Sequence, residues 1–161
     1  MPWTKPYHPA QNRRLDVETS RSAGQVCFIT IRAFGQRPPF TRADLCRLAL
    51  GVLRDEQARQ GCTVYTYCLM PDHLHFLVSA GGDGTSVLTF AEQYKGKSTN
   101  RSWTVGWRGK LWQPRFYDHV VRAEEDLAAI AEYILANPVR AGLVETVEDW
   151  PWGGHMNPLP R

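Results

Sequence analysis

Two histidines one residue apart, His73 and His75, stand in the run Tyr67-Cys68-Leu69-Met70-Pro71-Asp72-His73-Leu74-His75-Phe76-Leu77-Val78-Ser79. In an extended chain both imidazoles project from one face and Leu74 from the other, with α-carbons roughly 6.5 Å apart. Ring nitrogens so placed reach a single metal ion. Asn137 offers an amide oxygen as a third ligand, which suits Mg²⁺ or Mn²⁺ better than zinc. Tyr133 precedes it by four residues, about one helical turn. Asp72, after Pro71, reads as a turn former.

The four cysteines, Cys27, Cys46, Cys62 and Cys68, contain no C-x-x-C pair and read as reduced, mostly buried thiols. A zinc site joining Cys68 to the histidines lacks a recognisable spacing for its remaining ligands. The formal charge of +3 is unevenly spread. From Lys95 to Arg122 there are seven Lys or Arg residues against Asp118 alone, a local +6 that leaves the remainder at −3. Trp103, Trp107, Trp112, Phe116 and Tyr117 are interleaved with these charges. That mixture suits either a groove that tracks phosphates and stacks bases or a solvated loop with core tryptophans. Lys95, Lys97, Arg101 and Arg115 are candidate phosphate contacts, and Trp112 and His119 are further DNA-contact candidates. Tyr117, beside Phe116, reads as a stacking or packing residue.

These residues need a frame. With 161 residues and 43% hydrophobic content the chain suffices for one domain with a proper core. No run approaches a membrane span, and the N-terminus lacks the apolar stretch of a secretory signal, so a soluble cytoplasmic protein is expected. Residues 1–24, rich in Pro, Ser and Thr without periodicity, read as a loosely structured arm. A β-strand over 26–31 leads to a helix capped by Thr41, with Leu45, Leu48, Ala49, Val52 and Leu53 at helical spacing and Gly61 as its stop. Strands over 63–70 and 73–80 flank the Pro71-Asp72 turn, and a helix over 86–97 precedes the basic, tryptophan-rich loop. An extended segment covers 111–122, interrupted by Pro114. The last helix is expected to run from near Glu124 to before Pro138, with Leu127, Ile130, Ala131, Ile134 and Leu135 as its core stripe and Tyr133 and Asn137 along one edge. The order β-α-β-β-α-β-α matches an α+β, ferredoxin-like split βαβ fold, with an antiparallel sheet carrying helices on one face.

The segment 67–78 resembles the HUH motif (His, hydrophobic, His) of the single-tyrosine HUH transposases. Two later stretches resemble the C-terminal half of the same family: Trp112-Gln113-Pro114-Arg115-Phe116-Tyr117-Asp118-His119, and Tyr133 through Val144. With Asp149-Trp150-Pro151-Trp152, the likeness is to the REP-associated tyrosine transposases and covers about residues 25–152, leaving 153–161 as a C-terminal tail. The resemblance implies Tyr133 as nucleophile, carried on an additional C-terminal helix, and His73, His75 and Asn137 as ligands of a divalent Mg or Mn ion. Many relatives place Gln or Glu at the position of Asn137.

The implied function is metal-dependent cleavage and rejoining of single-stranded or hairpin DNA through a 5′-phosphotyrosine. A phenol of pKa near 10 needs a nearby cation or base to attack at neutral pH, which a metal beside it supplies. The alternatives are a domesticated, non-catalytic hairpin-binding protein and a ferredoxin-like RNA-binding domain. Both monomer and homodimer are compatible with the sequence, with the tyrosine acting in cis or in trans.

Overall fold

A computed structural model describes residues 24–82 and 85–160. The expected N-terminal arm thus lies, except for Gly24, outside the described residues. The elements are β1 (Val26–Arg32), α1 (Ala43–Gln60), β2 (Cys62–Met70), β3 (His73–Ala80), α2 (Val87–Thr104), β4 (Tyr117–Val120), α3 (Leu127–Leu135), the short α4 (Asn137–Arg140) and β5 (Gly153–His155). The five strands form one antiparallel sheet in the order β4-β1-β3-β2-β5. The first four strands have the split βαβ arrangement and the fold is α+β, as expected.

β1 is hydrogen-bonded on both edges, between β3 and β4, and is covered on both faces by the two cores, so Val26–Ile31 is buried and, but for Thr30, apolar. Its alternate residues divide the protein into two cores. Cys27, Ile29 and Ile31 join Leu45, Leu53, Phe90 and Tyr94 beneath α1 and α2. Val26 and Phe28 join Cys68, Leu77, Ile130, Ala131 and Ile134 on the other face, beneath α3. That second face, expected to be open, is therefore partly roofed by the tyrosine-bearing helix. An irregularity between Val64 and Tyr67 lets both Tyr65 and Cys68 point to the α3 side although they are three residues apart.

Several boundaries differ from expectation for identifiable reasons. The N-cap of α1 is Arg42; Thr41 ends a 3₁₀ turn, where its hydroxyl donates to the Pro38 carbonyl. Gly61 closes α1 at φ 67°, a left-handed conformation that glycine adopts without cost. α2 continues to Thr104 because the hydroxyls of Ser98, Thr99, Ser102 and Thr104 bond back to carbonyls one turn earlier and do not compete with the helix. α3 begins three residues late. Asp126 caps it through Ala129 N, while the Glu125 carboxylate is held by His119 Nε2 and Arg122 N in the preceding turn. The expected C-terminal tail supplies β5, which pairs with the β2 edge, and Asn157 Nδ2 donates to the Val64 carbonyl. Its Gly-Gly-His sequence carries no strand periodicity; the partner strand makes it extended. All four cysteines are buried and unpaired. Among the described residues, no helix is long and apolar enough to cross a membrane.

Candidate active site

Strand register brings the functional side chains together. Thr30 of β1 lies opposite His75 and Arg32 opposite His73; Tyr117 of β4 lies opposite Thr30, and Cys68 of β2 opposite His75. Directly opposed residues share a face, so all of these point toward the α3 side. The two imidazoles are 4.5 Å apart between centroids, with their planes at 73°. Phe28 packs edge-on against His75 at 5.4 Å.

Each imidazole is held from behind through Nδ1. The His73 Nδ1–H donates to Asp72 Oδ1 at 2.7 Å, which leaves the Nε2 lone pair of the neutral ring pointing forward. Asn137 Nδ2 donates to that Nε2 at 3.1 Å. His75 Nδ1 bonds Thr30 Oγ1 at 2.8 Å and keeps its own Nε2 for a further partner. This donor set fits a divalent cation: two imidazole Nε2 atoms with their rear nitrogens anchored, and an amide whose rotation offers Oδ1. Among the described residues, no cluster of three or more His, Cys, Asp or Glu side chains forms a metal site, so Cys68 does not complete one with the histidines. Burial pushes the Cys68 thiol up to about 12.

Asn137 reaches the site because α3, which precedes it and carries Tyr133, docks on its own chain. Ile130 and Ile134 bury into the second core, and Pro138, with no N–H to continue the ladder, lies in the first turn of α4, which begins at Asn137 just after Ala136. Tyr133, half-buried, is displayed beside this apolar stripe as the spacing predicts. Arg140 fixes it twice. The guanidinium carbon lies 3.8 Å from the Tyr133 ring centroid, and Nη1 donates to the Tyr133 carbonyl at 2.8 Å.

The sequence reading missed Thr30, Arg32 and Arg140 and assigned Asp72 to the turn alone. Arg140 had a legible signal, because seven residues at about 100° each return it to within about 20° of Tyr133. Thr30 had none, because its partner is 45 residues away.

Burial of the two histidines, reinforced by neighbouring positive charge, sets the pH response of the site. Burial holds His75 well below the usual histidine range, with the charges of His73, Arg32 and Arg140 acting the same way. Burial also lowers His73, partly opposed by its bond to Asp72 and reinforced by Arg32. Above an unfolded value near 6.5 both rings are neutral in either state and contribute nothing. As pH falls through that value the unfolded chain takes up protons that the folded chain refuses, so stability is lost. In EDTA, Tm is expected to fall from pH 7.5 to pH 5.5, and less so in His75→Gln. A wild-type Tm that stays level or rises over that range contradicts the assignment.

The expected DNA contacts are only partly on this face. Trp112 is buried between Phe40 and Tyr94, its indole N–H donating to Ser98 Oγ, so it is core and not a stacking platform. Lys95 is 8% exposed and its ammonium donates to the Pro114 carbonyl, anchoring the extended segment. Lys97 and Arg101 pair with Glu56 and Asp55 of α1, in the helix layer across the sheet from the histidines. A period of 3.6 fixes which helix residues lie together, but not which way that face turns. His119 is on the site face, bonded to Glu125. Arg115 is exposed. Tyr117 shares the face but stands two strand spacings, about 10 Å, from His75.

The IS200-like transposase family matches residues 36–137, which include both histidines, Tyr133 and Asn137. The chain belongs to that family. The chain is 30% identical over 109 residues to a REP-associated tyrosine transposase assigned in Haemophilus influenzae, covering 58% of this chain and 62% of that one, and so spans less than two thirds of that relative. With the REP-associated tyrosine transposase of Escherichia coli K12 it shares 24% identity over 140 residues, covering 86% of this chain and 81% of the relative. Its fold is that of a solved REP-associated tyrosine transposase bound to a REP hairpin, at TM-score 0.73 and 21% identity, covering 88% of this chain and 79% of the other.

Proposed function

We propose that this transposase cleaves and rejoins single-stranded DNA at hairpin-forming repeats, with Tyr133 as nucleophile in cis. The observation that carries the reading is the 3.1 Å bond from Asn137 Nδ2 to His73 Nε2, which ties the turn following the tyrosine-bearing helix to the histidine pair of the same chain. The hairpin bound to the relative of the same fold supports the substrate. Tyr133 Oη forms a bond to phosphorus as the bond from phosphorus to the 3′ oxygen breaks. The phenol gives up its proton, the departing 3′ oxygen takes one up, and the strand end is left as a 5′-phosphotyrosine. One phosphodiester replaces another, so a second 3′-hydroxyl reverses the step without ATP.

His73 Nε2, His75 Nε2 and the Asn137 amide oxygen would hold Mg²⁺ or Mn²⁺, which supplies Lewis acidity at the phosphate. Asp72 and Thr30 orient the two rings so that both Nε2 atoms face forward. Arg140, stacked on Tyr133, brings fixed positive charge to where the phosphate approaches.

The test incubates a labelled single-stranded hairpin with the protein and Mn²⁺ and looks for a covalent protein–DNA adduct that survives denaturation. An adduct with a free 3′-hydroxyl on the released strand supports the reading. Tight hairpin binding with no adduct under any divalent metal overturns it in favour of a hairpin-binding protein. Asp72→Asn is expected to weaken Mn²⁺ binding about 10- to 100-fold by calorimetry, because a neutral amide no longer holds the His73 ring as a carboxylate does. An unchanged affinity removes Asp72 from the site.

A further inference from the structure

Beyond the end of the sheet that carries His73, two segments meet: residues 33–41 after β1 and residues 103–116 at and after the end of α2. Ala33 bridges to Trp112, Phe34 N donates to the Leu111 carbonyl, and Gln113 N donates to the Arg32 carbonyl. Together the segments contain Arg37, Arg108, Lys110 and Arg115 and no Asp or Glu. They also hold Phe34, 44% exposed, and Trp103, 52% exposed, two of the three exposed large hydrophobic residues among those described. Lys110 Nζ lies 5.2 Å from the Phe34 centroid, and the Arg37 guanidinium 5.4 Å from that of Trp107.

The surface is preformed. Trp103 Nε1 donates to the Gly109 carbonyl and Trp107 Nε1 to the Lys110 carbonyl, so both indole N–H groups are satisfied within the loop. Gly106 at φ 92° and Gly109 at φ 80° allow this tight path. Arg42 Nη2 pins the loop to the start of α1 through the Val105 carbonyl. The exposed rings of Phe34 and Trp103 and the half-buried ring of Trp107, with a cation over Phe34 and another over Trp107, match a ligand with flat faces and regularly spaced negative charge. Phe34 is two residues beyond Arg32, the register partner of His73, which places the surface about 6.5 Å further along the strand.

We propose that Phe34, Trp103 and Trp107, with Arg37 and Lys110, bind unpaired bases of a single DNA strand outside the metal and tyrosine centre. The inference rests on the DNA-processing reading above and adds a stacking site that holds a single-stranded arm next to the cleavage point.

The test uses the full chain in EDTA and measures, by fluorescence anisotropy at fixed salt, affinity for a blunt hairpin and for the same hairpin with an arm of about ten unpaired thymidines. The arm is expected to tighten binding about tenfold or more in the wild type and equally in Tyr133→Phe. Phe34→Ala with Lys110→Ala should abolish that gain and leave blunt-hairpin affinity unchanged, and Trp103→Ala should reduce it. An arm that adds nothing in the wild type, a double variant that retains the gain, or an abasic arm that binds as well as thymidine overturns the proposal. A bound arm without any Mn²⁺-dependent adduct sinks the cleavage reading and leaves the stacking surface standing.

Discussion

Tyr133→Phe is expected to leave hairpin binding unchanged while eliminating the covalent protein–DNA adduct. The change removes one hydroxyl oxygen. The ring remains for Arg140 to stack upon, and the carbonyl that receives Arg140 Nη1 is backbone and untouched. Loss of a nucleophile removes the covalent route altogether, so the adduct rate should drop by at least on the order of 10³-fold. A Tyr133→Phe protein that still forms adduct at the wild-type rate shifts the nucleophile elsewhere. Tyr117, on the same face across Thr30 from His75, would then be next to test.

His75→Ala should be nearly as damaging, for a different reason. In the proposed site His75 supplies one of two imidazole nitrogens, and its removal would leave an amide and a single ring to hold a cation. Metal-stimulated adduct formation should fall by more than about 100-fold, whereas hairpin binding measured in EDTA should persist. His75 also packs against Phe28, so the melting temperature and metal affinity are read alongside to separate loss of the ligand from loss of packing. A folded His75→Ala protein with wild-type Mn²⁺ stimulation contradicts the metal assignment. His73→Ala provides the companion measurement, since it also removes the acceptor for Asn137 Nδ2.

Side chains that act through local periodicity were legible in advance. The alternation in 73–80 put His73 and His75 on one face, and the apolar stripe of the last helix put Tyr133 beside the core. The basic, aromatic stretch was misassigned in detail. Trp112 and Lys95 looked like groove residues and are structural, while Phe34, far from that stretch in sequence, is exposed beside Lys110. Composition says which residue types are close along the chain; burial depends on what folds over them.

By itself, the sequence determined the α+β element order, the shared face of the histidines and the helical spacing of Tyr133 and Asn137, because periods of 2 and 3.6 are properties of the local backbone. Only the tertiary structure decided that α3 roofs its own sheet, that Thr30 stands behind His75, that the C-terminal residues complete the sheet, and that Asn137 meets His73. Those contacts join residues separated by tens of positions, and their partners are selected by strand register and by which apolar faces bury together.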